Sequence, residues 1–170
     1  IQHALSESKT ARWIALILIS STMFFAYFFV DVLAPLQELL EKSPTFWKPE
    51  VFGMIGGGEF VLNVLAGMLI ISGIILDKMG IRFTLITAGL TMVLGASLKY
   101  YALTEGFTQT ALASFLGSFI SGIPASAKLA MAGFAIFGVG VEMAGITVSK
   151  TIVKWFKGKE MAMAMGLEMA

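Results

Sequence analysis

The sequence predicts an all-α, polytopic membrane bundle, from its composition, the uneven spread of its charges and helix-length runs with no charge. Of 170 residues, 57% are hydrophobic and only 14% charged, against roughly half and a quarter in ordinary soluble domains. Residues 13–30 and 60–76 carry no charged side chain. About 20 helical residues cross about 30 Å of hydrocarbon, so runs of this length read as spans.

Composition also narrows the function classes. A net charge of +1 offers no electrostatic attraction to nucleic acid. With no cysteine, there is neither a disulfide framework nor a thiolate metal site. The single histidine, His3, sits in a polar N-terminal stretch and reads as solvated. No cofactor or metal is expected; the expected partners are a small-molecule substrate and the lipid bilayer.

Hydropathy divides the chain into four spans and the start of a fifth. The first covers about residues 12–40, with Trp13 suited to the interface and Pro35 expected to kink or thin its far end. It is too long for a signal-peptide core and carries Asp31, so it reads as retained. Residues 41–49, with Pro44, Trp47 and Pro49, read as an interfacial turn. The second span covers about 50–77 and the third about 83–103. Residues 104–127 contain turn formers and Pro124, yet Leu112, Phe115, Leu116 and Phe119 recur at helical spacing, consistent with a short interfacial helix. The fourth span covers about 128–154 and a partial fifth starts near 159. Because the sequence starts at Ile1 and stops inside that fifth run, further helices of the same chain are expected beyond it.

Basic residues set the orientation. With the N-terminus in the cytoplasm, the inner segments hold Lys9, Arg12, Lys78, Arg82, Lys154, Lys157 and Lys159, and the outer ones at most Lys42, Lys48, Lys99 and Lys128. That excess on short inner loops favours N-in. Lys99 and Lys150 are close enough to span ends to snorkel. Small residues four apart, Gly53 with Gly57 and Ala162 with Gly166 and Ala170, are expected to let helices approach closely in lipid.

The loop between spans two and three runs from Gly73 through Asp77, Lys78 and Gly80 to Arg82. Asp77 ends a helix, where the macrodipole is already negative and a carboxylate is disfavoured. Its placement makes sense if it faces the N-terminus of another helix. Gly80 permits a left-handed residue and a turn of few residues. Gly73, one turn before Asp77, is expected to let a neighbouring helix pack against the acid, and Lys78 and Arg82 pin the loop to the cytoplasmic side.

This segment resembles the signature loop of the major facilitator superfamily: glycine, three residues, aspartate, a basic residue, any residue, glycine, then two basic residues. Gly73, Asp77, Lys78, Gly80 and Arg82 match, and Ile81 departs where the first of the paired basic residues is usual. The link Lys154-Trp155-Phe156-Lys157-Gly158-Lys159 is similar to the superfamily's linker between spans four and five. The resemblance implies the first part of a twelve-helix fold built from inverted repeats of three helices. It also implies a conformational lock at Gly73, Asp77, Lys78, Gly80 and Arg82.

Acids at bilayer depth are costly and usually face a partner or a watery cavity. Glu142 lies 14 residues into the fourth span, with Gly138, Gly145 and Ser149 on its face, which leaves room for a binding cavity. Glu59 and Asn63 lie one turn apart on the second span, fitting either a ligand or interhelical hydrogen bonding. Asp31 and Tyr27 share a stripe with Ser20 and Phe24, and Tyr27 offers a hydroxyl and an aromatic face. Glu168 lies about two turns into the fifth span. These acids can bind a cationic group, carry a coupling proton or pair with basic residues on further helices.

Proton-driven members of the superfamily often carry an arginine four residues before a Gly-x-Gly; here Phe134 precedes Gly138-Val139-Gly140. Glu142 together with the 155–159 linker resembles the branch of the lysosomal dipeptide uniporter and its bacterial relatives, which implies that Glu142 helps hold a peptide amino terminus. The expected function is therefore alternating-access transport of a small polar organic solute, a small peptide among the candidates, in a bacterial inner membrane. Another organic anion, sugar or drug-like cargo stays open, as does a channel or scaffold. An enzyme is not expected: Val30-Asp31 and Gly138-Val139-Gly140-Val141 lack the pairs that intramembrane aspartyl proteases share, and a serine protease would need a membrane histidine.

Overall fold

The computed structural model describes residues 7–42 and 45–169; His3, Pro44 and Ala170 lie outside the described residues. Among these the fold is helical, with no strand. Helix α1 (Lys9–Asp31) starts at Ser8, whose hydroxyl accepts from the Ala11 amide at 3.4 Å, an N-cap satisfying one orphan donor. A 3₁₀ turn (Ala34–Leu36) and the short α2 (Gln37–Leu40) follow, so Pro35 thins the far end of the first run as its missing N–H requires.

Helix α3 (Pro49–Leu65) opens on Pro49, whose fixed φ suits a first helical position. The 50–77 stretch does not form one straight helix. It breaks after Leu65, Gly67 turns left-handed at φ 61°, and α4 (Met68–Ala102) continues after a bend of 60°. Glycine adopts that conformation without steric cost, and hydropathy alone does not register it.

Inside α4, Gly80 has φ 83° and ψ 171°, so two helices abut there. Their directions follow from neighbours on α7 (Ala125–Phe156). Gly58 lies against Met131 and Glu59 against Gly138, while Asp77 reaches Lys150. After Gly80 the order falls again: Ala88 and Met92 lie against Gly140, and Gly95 against Gly133. The chain thus advances along α7 to Asp77 and returns after Gly80, a reversal where the sequence expected a loop. Two short helices, α5 (Glu105–Thr108) and α6 (Ala111–Gly117), occupy the ambiguous 104–127 stretch. The Thr110 hydroxyl caps α6, and the Lys128 ammonium donates to the Leu116 carbonyl at 2.6 Å and to that of Phe119. Helix α8 (Met161–Met169) closes the described chain.

Among the described residues two helical runs, Lys9–Leu40 and Ala125–Phe156, are long and apolar enough to cross a membrane, or three if the bent pair α3–α4 counts as one. Helix α7 is the centre, because it is buried on most of its circumference. At one end Leu16, Ala88, Ala144, Val148, Ile152 and Phe156 pack together. At the other, Trp47, Val51, Ile55, Ala102, Phe107 and Ala127 do so. Trp47 is fully buried rather than interfacial, and its indole N–H donates to Ser126 Oγ at 2.9 Å, the partner a buried indole needs.

The tight helix contacts fall on other glycines than those expected. A Cβ at Gly53, Gly57 or Gly166 would meet nothing within 4 Å. A Cβ at Gly95 would lie 2.5 Å from the Gly133 carbonyl oxygen, and one at Gly140 would lie 2.7 Å from the Ala88 carbonyl oxygen. Four-residue spacing finds a smooth helix face but cannot tell which face meets a neighbour. Gly95→Ala should therefore lower stability by about 1–3 kcal/mol, the range for overpacking. Gly53→Ala should be neutral or stabilising by up to about 1 kcal/mol. Thermal unfolding of the purified variants in detergent checks the contrast, which equal melting temperatures would contradict.

Candidate functional site

At the Gly80 end, the Asp77 carboxylate meets the Lys150 ammonium at 2.5 Å, with side chains 74% and 43% exposed. Within the described residues the partner of Asp77 is a cation, which answers the negative helix end. Lys150 is therefore an ion-pair partner. Gly80 turns the backbone, and its carbonyl accepts from Thr84 Oγ1 at 2.8 Å. Lys78 and Arg82 are exposed. Gly73 has open space on its Cβ side, so no described helix packs there against the acid.

The same end carries a second clasp. Glu160 pairs with Lys9 at 3.4 Å and with buried Arg12 at 3.5 Å. Arg12 also lies 5.8 Å from the centre of the Phe156 ring, and Trp13 meets that ring edge-on. The start of α1 is thereby tied to the 154–160 link, and Trp13 packs inward instead of facing an interface alone.

The interior acids come next. Glu59 is 6% exposed and Asn63 9%. Asn63 Nδ2 donates within its own helix to the Glu59 carbonyl at 3.4 Å, rather than across helices, and its Oδ1 is buried without a hydrogen bond. Gly138 does not leave room around Glu142; a Cβ there would overlap the Glu59 backbone. Gly145 does leave room, with only Met23 Cε 3.5 Å away. Glu142 is half-buried, and Ser149 on its face donates to Glu168 Oε1 at 3.0 Å. Tyr27 is 57% exposed. Asp31 is exposed and shares with Glu59 a cavity of about 220 Å³ whose walls include Phe52 and Phe134. Thus Glu59 and Asp31 share one cavity, Glu142 lies one turn along α7 from the Gly138 that meets Glu59, and Tyr27 and Asn63 do not line that cavity.

Lys99 is the group that sequence reasoning misplaced. It does not snorkel: at 5% exposure its ammonium donates to the Phe29 carbonyl at 3.1 Å and lies 4.0 Å from the Phe134 ring centre. Cation–π attraction of a desolvated ammonium is worth about 2 kcal/mol, and the charges of Glu59 and Asp31 also act on Lys99. The signal lay four residues earlier, in Gly95. The glycine that meets α7 puts Lys99 on the same buried face one turn later. Chemically, two carboxylates, Glu59 and Asp31, and the aromatic walls Phe52 and Phe134 face a common space, which suits recognition of a polar organic group.

An exposed ion pair contributes about 0–1 kcal/mol, so Asp77→Asn should cost no more than that. A double-mutant cycle with Lys150→Gln, read by thermal unfolding, should give a coupling of about 0.2–1 kcal/mol; zero coupling would remove Lys150 as the partner. Comparison of the chain with models of protein families, with curated proteins and with solved structures finds no match.

Proposed function

We propose that this membrane protein is the first part of a secondary transporter of the major facilitator type. It moves a small polar organic solute, a small peptide among the candidates, by alternating access. The observation that carries the reading is a largely buried acid, Glu59, lining a cavity with Asp31, while half-buried Glu142 lies one turn along α7 from the Gly138 that abuts Glu59. Placing a charge at a helix centre in lipid costs about 2.5–3.5 kcal/mol, and a cavity that binds polar cargo gives such acids a use.

Further support comes from the Gly80 turn. Its acid is clasped by a cation on α7, an arrangement suited to a lock between two conformations. Lys9, Arg12, Lys78, Arg82, Lys154 and Lys157 belong to this same end by the helix directions derived above, so this end is assigned to the cytoplasm of a bacterial inner membrane, with the N-terminus inside. In this reading further helices cover the open face around Tyr27 and Glu142 and complete the twelve-helix fold.

Glu142→Gln in the full-length protein should abolish solute uptake in proteoliposomes while leaving expression and thermal stability unchanged; undiminished uptake would sink the site assignment. Asp77→Asn should change the inward-versus-outward accessibility of single cysteines placed along α1. A pattern identical to wild type would favour a channel or scaffold without alternating access.

A further inference from the structure

We propose that the cavity bounded by α1, α3 and α7 is a subsite for a small organic ammonium group, with Glu59 at its floor and Asp31 at its mouth. The proposal names a cargo chemistry for the site described above and rests on the transport reading for the statement that the bound group is cargo.

Glu59 is 6% exposed and lines the cavity, yet among the described residues its carboxylate has no hydrogen bond and no ion pair within 4.0 Å. Its carboxylate oxygens are not fully buried and open on the cavity, and a carboxylate with so little solvent around it gains from a cationic partner. The nearby cation does not supply that partner. Lys99 is held by the Phe29 carbonyl and by the rings of Phe134 and Phe137. It acts on Glu59 through space and does not line the cavity. The cavity lining carries two acids, Glu59 and Asp31, and no basic residue, a negative surface that a positively charged group complements.

The walls select the kind of cation. Phe52, Phe134, Val30 and Ile55 present aromatic and aliphatic surface, which favours carbon and the soft charge of an alkylammonium. The volume of about 220 Å³ far exceeds the roughly 30 Å³ share of one water, leaving room for a few carbons beside the charged nitrogen. A bare metal ion would need converging oxygens. Among the described residues no three acids or histidines come together to supply them.

The test uses the full-length protein in lipid nanodiscs with n-butylammonium chloride, n-butanol and sodium chloride at matched ionic strength. Butylammonium should raise the melting temperature in a saturable way, and the other two should not. Glu59→Gln should weaken butylammonium binding at least tenfold by calorimetry. Asp31→Asn, at the exposed mouth, should weaken it several-fold and decides the matter if Glu59→Gln fails to fold. An equal response to butanol or to sodium, or unchanged affinity in the variants that fold, overturns the proposal. Solute uptake without butylammonium binding overturns it while sparing the transport reading. Glu59-dependent binding without any uptake supports it and removes the transport reading alone.

Discussion

Helix α7 is gripped by two backbones at once, and the rest of the molecule is arranged around that grip. On one side Gly133 and Gly140 meet Gly95 and the carbonyl of Ala88; on the other, Gly138 meets the backbone of Glu59. Lipid tails are as apolar as leucine, so helices in a membrane gain little by hiding hydrophobic side chains from it. Dispersion and backbone proximity must do more of the holding, and a missing Cβ allows both. This explains why α1 can leave Phe24, Phe25 and Phe28 exposed in a chain whose central helix is tightly enclosed.

The same contacts place the charges. Since Gly138 admits the backbone of Glu59, the acid is held against α7 at a fixed height, near the phenyl ring of Phe134 that lines the shared cavity. Since Gly95 admits α7, Lys99 emerges one turn further on the buried face, where a carbonyl and two rings hold it. Lys99 is satisfied by that carbonyl and those rings, while Glu59 keeps no direct partner among the described residues, so the electrostatics of the interior follow from helix packing more than from direct pairing.

The helical class and the Gly80 reversal were legible because each has a local cause: charge-free runs of spanning length, and a glycine between two apolar stretches beside an acid and basic residues. The break at Gly67 was not, since an isolated glycine inside a hydrophobic run leaves hydropathy unchanged while its backbone turns left-handed. Of the candidate site, Glu59, Glu142 and Asp31 were singled out as charges the bilayer would penalise, and Tyr27 as a neighbour of Asp31 on one stripe; of these, the cavity joins Glu59 and Asp31. The partners were invisible. Nothing in one sequence says that Asp77 reaches Lys150, that Glu160 joins Lys9 and Arg12, or that Lys99 turns inward, because these pairings depend on how helices rotate against each other. Trp47 shows the same limit: its type suits an interface, and tertiary packing with Ser126 buries it.

The two kinds of contact differ in strength in a way that suits moving parts. An exposed pair such as Asp77 with Lys150 contributes about 0–1 kcal/mol, enough to shift a two-state population by about fivefold at most. The glycine contacts resist even one added methyl group, at about 1–3 kcal/mol each. In the proposed transport reading, a bundle with a rigid middle and a weakly clasped end would move as a body when the clasp exchanges partners, keeping the shape of the Glu59 cavity, set by α3 against α7, while access at Asp31 changes. Under alternating access, that separation of a stiff binding surface from a labile latch lets a bound solute be carried without the site being rebuilt.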